Sequence, residues 1–119
     1  MYELMIESTF DAAHALRGYE GPCENLHGHT WRVQIFLKGN KLNKIGYLKD
    51  FKDIKKTLKI VLSQFDHKNL NETARFIKIN PSCENLSLII YKEMKRQIKE
   101  LTKVTVWESA TTSATYSPK

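Results

Sequence analysis

The stretch from Cys23 to His29 reads Cys-Glu-Asn-Leu-His-Gly-His and brings a thiol, a carboxylate and two imidazoles close together along the chain. If His27 and His29 lie on one β-strand, its two-residue period puts both rings on one face, where a divalent cation can accept a nitrogen from each. A hairpin would add His14 as a third imidazole. Three neutral histidines with a fourth position open to water or substrate are typical of a catalytic zinc. The alternative is an ordinary strand with surface histidines.

The length and composition favour one domain that spans residues 1–119. A chain of 119 residues suffices for one modest core, and 41% of its residues are hydrophobic. It has no apolar run near the ~20 residues that a bilayer crossing needs, and its start lacks a signal-peptide pattern. We therefore expect a cytoplasmic protein without a membrane partner, in which both cysteines remain thiols.

The net charge of +6 allows an anionic partner, either nucleic acid or a phosphorylated small molecule. The lysines are spread along two predicted helices among acidic residues, which is the pattern of solvated helix faces. The sequence contains no RNA-binding signature and no zinc-finger spacing. We therefore expect no nucleic-acid partner and favour a small anionic substrate.

Partial alternation of apolar and polar residues predicts two strands, over 4–10 and 30–37, joined by a loop that contains glycine and proline. Near the end of the chain, residues 104–108 and 113–116 are rich in threonine, valine and aromatic residues and predict a hairpin. The first pair of strands would carry the three histidines. The second pair would place Glu108 at the end of its first strand.

Two amphipathic helices are predicted between these hairpins. Asp50 is the expected N-cap of the first, and Ser82 the expected N-cap of the second, with Glu84 in its first turn. Apolar residues follow each cap at three- and four-residue spacings. The element order ββααββ predicts an α+β fold, with both helices on one face of a four-stranded antiparallel sheet. Such a small sheet has free edges, so assembly through the edges is expected.

Six motifs cover nearly the whole chain. They are Phe10-Asp11-Ala12-Ala13-His14, Cys23-x-x-x-His27-Gly28-His29, Asp50-Phe51, Asp66-His67-x-x-Leu70-Asn71, Pro81-x-x-Glu84-Asn85 and Glu108. Together they resemble the 6-pyruvoyltetrahydropterin synthase and 6-carboxytetrahydropterin synthase family, which has the tunnelling fold (T-fold). The resemblance implies a trimer that forms a twelve-stranded barrel. It also implies a homohexamer of two trimers, with active sites at the subunit interfaces.

The resemblance also implies roles for individual residues. One Zn²⁺ per chain would be bound by His14, His27 and His29. The expected catalytic residues are Cys23 as general base and the pair Asp66 and His67. The expected substrate-binding residues are Glu108, which would hold the pterin ring, Ser82 and Glu84. From the residues alone, Glu108 could instead form a strand salt bridge, and His67 could simply stabilise a helix C-terminus.

The spacing between Cys23 and the HGH motif resembles that of one group of enzymes within the family. Cys23 precedes His27 by four positions, which is similar to the bacterial 6-carboxytetrahydropterin synthases of queuosine biosynthesis, whereas the animal pyruvoyl enzymes place the cysteine further upstream. The implied function is a zinc-dependent lyase. It would convert 7,8-dihydroneopterin triphosphate to 6-carboxy-5,6,7,8-tetrahydropterin, acetaldehyde and triphosphate.

Glu24 keeps an alternative open. Family members that cleave dihydroneopterin to 6-hydroxymethyldihydropterin for folate synthesis have a glutamate three residues before the first histidine of the HGH motif, and some dual-function members carry both residues. Glu24 is therefore a candidate second catalytic base, with a solvated loop carboxylate as the other interpretation. A 6-pyruvoyltetrahydropterin synthase is a further alternative within the family.

Two other classes of function are also compatible with three converging histidines. One is a metal-stabilised oligomeric binding module without turnover. The other is a hydrolase that uses zinc hydroxide, with Cys23 incidental. Replacing Cys23 by alanine separates the hydrolase from the lyase, because only the lyase uses the thiol as a base.

Overall fold

The computed structural model describes residues 1–21 and 24–119. Its framework is a long antiparallel hairpin of β1 (Tyr2–His14) and β2 (His27–Gly39). The pairing is continuous, and it places His14 directly opposite His27 at the loop end of the hairpin. Both strands extend beyond the predicted ranges because their outer residues continue the pairing without a clear apolar alternation.

The sheet contains five strands in the order β3-β1-β2-β4-β5. In addition to the hairpin it includes β3 (Lys68–Asn69), β4 (Leu101–Trp107) and β5 (Ser113–Tyr116). The predicted α+β fold and the C-terminal hairpin are confirmed. The prediction of a purely four-stranded antiparallel sheet is corrected by β3, a two-residue strand that pairs in parallel with β1 and makes the sheet mixed.

Two helices follow the hairpin, α1 (Phe51–Leu62) and α2 (Cys83–Lys95). Both predicted N-caps are confirmed. The Asp50 carboxylate and the Ser82 hydroxyl each accept a hydrogen bond from a backbone N–H in the first turn of their helix. The cap on α2 fixes where this helix begins, and its first turn lies next to the candidate site described below.

One hydrophobic core fills the space between the helices and one face of the sheet, which we call the core face. Alternate residues of the strands and one stripe of each helix are buried there. The central members are Ile6, Phe10, Trp31, Val33, Ile35, Leu37, Ile54, Leu58, Leu62, Leu86, Ile90 and Met94. Within residues 1–21 and 24–119, no helix is both long enough and apolar enough to cross a membrane.

The opposite face of the sheet, which we call the outer face, carries polar side chains from the positions between the core residues. On this face Arg32 and Gln34 donate hydrogen bonds to the Glu7 carboxylate at 3.2 and 2.8 Å. The two-residue period of a strand therefore separates the hairpin into an apolar side and a polar side.

The segment after β1 is held by two asparagine side chains. The Asn71 carboxamide accepts a hydrogen bond from the N–H of Ala15 at 2.8 Å and donates one to its carbonyl at 2.9 Å. Asn80 forms the same pair of bonds with the backbone of Arg17. The chain is thus fixed immediately after His14.

Candidate active site

Three histidine rings form a compact cluster at the loop end of the hairpin. Cross-strand pairing brings His14 beside His27, and the strand period brings His29 to the same face. The ring centroids lie 4.6 Å apart for His14 and His27, 4.7 Å for His27 and His29, and 5.2 Å for His14 and His29. Trp31, which is fully buried, packs against His14 and His29. The predicted convergence of the three imidazoles is observed.

Hydrogen bonds fix the tautomers of His14 and His27 and so determine which nitrogen of each ring can bind a metal. His14 Nδ1 lies 2.7 Å from the backbone oxygen of Pro81, and His27 Nδ1 lies 2.7 Å from that of Asn25. Because a carbonyl oxygen only accepts, each Nδ1 carries the proton and each neutral ring keeps a lone pair on Nε2. Such an outer hydrogen bond is typical of a metal-binding histidine.

The inward nitrogens are the second indication of a metal site. Nε2 of His14 and Nε2 of His29 are buried and have no hydrogen-bond partner among the described residues. Buried polar atoms without a partner are uncommon in folded proteins. A cation bound between the rings would satisfy both atoms, so the residues present fit a metal ion.

The pKa of His29 is lowered from its ordinary value. Burial is the largest cause, and the neighbouring His14 and His27 act in the same direction, while Glu108 opposes them. Burial lowers the pKa because it disfavours the charged imidazolium. The ring is therefore held in the neutral form that binds metals.

Glu108 joins the histidines and differs in position from the prediction. It is the first residue after β4 and not part of the strand. Its Oε1 lies 3.0 Å from His29 Nε2 and 3.5 Å from His14 Nε2. One possible ligand atom from each of Glu108, His14, His27 and His29 lies within 4.8 Å of the others. These four residues could hold a metal ion.

Cys83 contacts the other oxygen of the same carboxylate. Its Sγ lies 3.8 Å from Glu108 Oε2, within hydrogen-bond range for a thiol donor. Burial raises the pKa of Cys83 to about 12, with a further contribution from the negative charge of Glu108. The thiol is therefore protonated, and it makes no disulfide with any described residue. The sequence predicted only that this cysteine remains a thiol, and did not indicate this contact.

Asp66 and His67 lie beyond the end of α1, in the turn that leads to β3. His67 adopts a left-handed backbone conformation with φ of 57°. Its N–H donates to the carbonyl of Asp11 at 2.6 Å, and the N–H of Asp11 donates to Asp66 Oδ1 at 2.9 Å. Such conformations persist where the surroundings enforce them and are concentrated at functional sites. This pair is thus positioned by β1.

The imidazole of His67 is available to a ligand. Its side chain is 78% exposed, and its Nε2 lies 3.7 Å from Asp66 Oδ2. An open cleft of about 570 Å³ is lined by Asp11, Thr30 and His67, among others. No role was predicted for Asp11, although it belongs to the first of the six motifs and is a polar residue between the apolar Phe10 and Ala12.

The structure does not bring the two groups of predicted residues together within one chain. The three histidines lie on the core face, together with Trp31, whereas Asp11 and Thr30 alternate with them and point to the outer face. A 2.5 Å hydrogen bond joins Thr30 Oγ1 to Asp11 Oδ1, and the Asp66 and His67 pair is attached beside it. The side chains of the histidine cluster and of the Asp66 and His67 pair therefore lie on opposite faces of the hairpin, and His29 also lines the cleft beside His67.

Comparison with known proteins identifies the family. The family model described as 6-pyruvoyl tetrahydropterin synthase matches residues 3–119. The chain belongs to this family. It is 34% identical to a dihydroneopterin monophosphate aldolase of Pyrococcus furiosus, over 88% of both chains. It is 30% identical to a 6-carboxy-5,6,7,8-tetrahydropterin synthase of Synechocystis, over 100% of this chain and 96% of the relative.

A solved structure of the 6-pyruvoyl tetrahydropterin synthase family confirms the predicted fold. The Caenorhabditis elegans 6-pyruvoyl tetrahydropterin synthase superposes with a TM-score of 0.88 at 26% identity, over 99% of this chain and 96% of that one. The T-fold predicted from the six motifs is therefore the fold of this member of the family.

Four further residues were predicted to belong to the active site of this 6-pyruvoyl tetrahydropterin synthase family member, and their surroundings in the structure differ. The Ser82 hydroxyl accepts a hydrogen bond as the N-cap of α2, and Glu84 is exposed in the first turn of that helix. Glu24 is exposed, and its N–H donates to the carbonyl of Gly21 at 3.1 Å. Cys23 lies outside the described residues. The catalytic and substrate-binding roles of these four residues stay predictions.

Proposed function

We propose that the protein is a zinc-dependent 6-carboxy-5,6,7,8-tetrahydropterin synthase acting in queuosine biosynthesis. It would convert 7,8-dihydroneopterin triphosphate to 6-carboxytetrahydropterin, acetaldehyde and triphosphate. The observation that carries the proposal is the cluster of three histidines in a chain of the pterin synthase family. The Nε2 atoms of His14 and His29 are buried and have no hydrogen-bond partner among the described residues. The Synechocystis relative named for this activity supports it.

Zinc is the metal that best suits the donors, because neutral imidazole nitrogens are its usual ligands in catalytic sites. His14, His27 and His29 would hold it, one ion per chain. When bound, the ion would polarise side-chain oxygens of the pterin substrate and acidify the adjacent carbon-bound hydrogens.

The chain's own residues would move the protons. Cys23, as a thiolate near a cation, would act as general base on the substrate side chain. His67, oriented by Asp66, would exchange a proton at a second position on the side chain or ring. The Glu108 carboxylate would accept hydrogen bonds from the amino and ring N–H groups of the pterin.

We also propose that each active site is shared between chains of a homohexamer. Within one chain the metal cluster and His67 lie on opposite sides of the hairpin, and His67 is 78% exposed. A neighbouring chain would supply the acid/base pair that one chain cannot place beside its own metal. The edge strands of the sheet, β3 and β5, offer unpaired backbone groups for such an assembly.

A second candidate function has specific support. The Pyrococcus furiosus relative is named a dihydroneopterin monophosphate aldolase, and Glu24 places a carboxylate next to the predicted base Cys23. A carboxylate that takes the proton of a side-chain hydroxyl would start a retro-aldol cleavage, which gives 6-hydroxymethyldihydropterin and glycolaldehyde from dihydroneopterin. One site with two bases would then cleave at either of two bonds.

Product analysis tests both functions. The zinc-loaded protein is incubated separately with 7,8-dihydroneopterin triphosphate, its monophosphate and dihydroneopterin, and the products are identified by mass. We expect Cys23→Ala to lose 6-carboxytetrahydropterin and Glu24→Ala to lose 6-hydroxymethyldihydropterin. Wild-type protein that yields neither product from any of the three substrates contradicts the proposed function. A Glu24→Ala enzyme with unchanged products makes that carboxylate a bystander.

A further inference from the structure

The carboxylate of Glu108 is spaced from the histidines as a ligand of the same ion would be. In a tetrahedral zinc site with bonds of about 2.0–2.1 Å, neighbouring ligand atoms lie about 3.3 Å apart. Glu108 Oε1 lies 3.0 Å from His29 Nε2 and 3.5 Å from His14 Nε2, on either side of that value. Both measured distances from Glu108 Oε1 are therefore close to those between two ligands of one ion, and all four ligand atoms lie within 4.8 Å of one another.

The orientation of the rings agrees with a shared ion. Although Glu108 Oε1 is close to His14 Nε2 and His29 Nε2, neither nitrogen makes a hydrogen bond with it. A simple imidazolium and carboxylate pair would align the N–H with the oxygen. Two ligands of one cation instead face the cation and not each other.

The two oxygens of the carboxylate have different surroundings. Oε1 faces the histidines, while Oε2 is within 3.8 Å of the Cys83 thiol at the start of α2. A donor on Oε2 leaves only Oε1 for the metal, so the contact favours coordination through one oxygen. Cys83 is thus a positioning residue that acts through Glu108.

The setting of Glu108 also allows the carboxylate to leave. Its backbone is anchored, because its N–H donates to the carbonyl of Thr112 at 3.2 Å. Its side chain is 28% exposed, in contrast to His14 at 1%. Rotation of the side chain alone would free the fourth position.

We propose that Glu108 is a displaceable fourth metal ligand, which closes the coordination shell in the resting protein and yields its place to an oxygen of the substrate. The inference rests on the metal site of the proposed function. It adds a resting state in which the metal is shielded from stray anions. The displaced carboxylate would then be available for the hydrogen bonds to the pterin that are assigned to it above.

The test uses the protein loaded with Co²⁺, without any pterin. Visible absorption reports the coordination of the ion, and titration with azide reports how easily the fourth position is taken. We expect Glu108→Ala and the isosteric Glu108→Gln to change the cobalt spectrum and to bind azide at least ~10-fold more tightly than wild type. Glu3→Ala, which removes an exposed carboxylate at the opposite end of the hairpin, is the matched control and should match wild type.

Azide affinity and cobalt spectra that are the same in wild type and in both Glu108 variants would overturn the proposal. For the thiol, we expect Cys83→Ala to strengthen azide binding and Cys83→Ser, which keeps a donor, to resemble wild type. Wild-type affinity in Cys83→Ala would overturn the positioning role. Because no turnover is measured, these results are independent of whether the proposed reaction occurs.

Discussion

His14 Nδ1 donates a 2.7 Å hydrogen bond to the backbone oxygen of Pro81. The bond joins the last residue of β1 to the segment that immediately precedes the cap of α2. It turns the Nε2 of His14 toward the other imidazoles and connects the histidine cluster to the start of α2. The ring is 1% exposed, so the bond lies in the interior of the protein.

This bond predicts unequal effects of two metal-ligand variants on the metal-free protein. His14→Ala leaves a buried carbonyl oxygen unpaired, which typically costs about 1–3 kcal/mol, whereas His27→Ala leaves the bond to Pro81 intact. We expect metal-free His14→Ala to have the lower free energy of unfolding, measured by urea titration with chelator present. Equal values for the two variants would contradict this role of His14.

Metal content should depend on three of the four histidines. His27→Ala removes a ligand of the cluster and should purify with far less than one zinc per chain. His67→Ala is the matched control, because this imidazole lies on the other side of the hairpin, and it should keep one zinc while losing activity. Elemental analysis measures the zinc content per chain, and equal zinc content in the two variants would refute the assignment of His27 as a ligand.

Active-site sharing predicts complementation between two inactive variants. Chains of His29→Ala lack a metal ligand, and chains of His67→Ala lack the acid/base imidazole. After the two are mixed in denaturant and refolded, some sites should combine the three histidines of a His67→Ala chain with the His67 of a His29→Ala chain. These sites should restore about one quarter of the wild-type activity. Light scattering should confirm a hexamer. No recovery in refolded hexamers would contradict sharing, with wild-type protein refolded in parallel as the control.

Ser82 should contribute mainly to the stability of α2. Its hydroxyl accepts from the N–H of Asn85 at 3.1 Å, and removing such a cap costs about 1 kcal/mol. We expect Ser82→Ala to lower the melting temperature by about 4 °C. Ser82→Thr keeps the hydroxyl and should melt near wild type. A Ser82→Ala protein of unchanged stability but raised KM would instead favour its predicted role in substrate binding.

The raised pKa of Cys83 predicts resistance to alkylation. Alkylation requires the deprotonated sulfur, and with a pKa of about 12 only about 10⁻⁴ of the Cys83 thiol is deprotonated at pH 8. In a Cys23→Ala background, where Cys83 is the remaining cysteine, iodoacetamide at pH 8 should leave the folded protein unmodified. The same protein in denaturant should gain one label, as measured by mass. Rapid labelling of the folded form would contradict the burial and protonation of this thiol.

Local patterns were sufficient for much of the fold. The spacing of apolar residues predicted both helices, and the caps Asp50 and Ser82 marked where they begin. The HGH motif and His14 predicted the convergence of the three imidazoles, because strand period and hairpin pairing are local rules that place the side chains. These features depend on neighbours in sequence or on one hairpin.

Features that depend on distant contacts were not predictable. Strand β3 has two residues and no strand pattern, and it exists because β1 offers an edge with which to pair. The bonds between Asp11 and the turn at Asp66 join residues 55 positions apart. The Asp66 and His67 pair lies on the face opposite to the histidines because the turn contacts Asp11, and no local pattern encodes this long-range contact.

The asparagine contacts after β1 have a consequence for how the chain can vary in length. Because a carboxamide offers both an N–H donor and an oxygen acceptor, Asn71 and Asn80 act on Ala15 and Arg17 as peptide groups of a neighbouring strand would. The stretch from Ala15 to Arg17 therefore has a fixed register although it belongs to no strand. Inserting or deleting one residue there would mismatch both contacts and pull on His14, so natural variation and engineered insertions should be confined to the residues beyond Arg17.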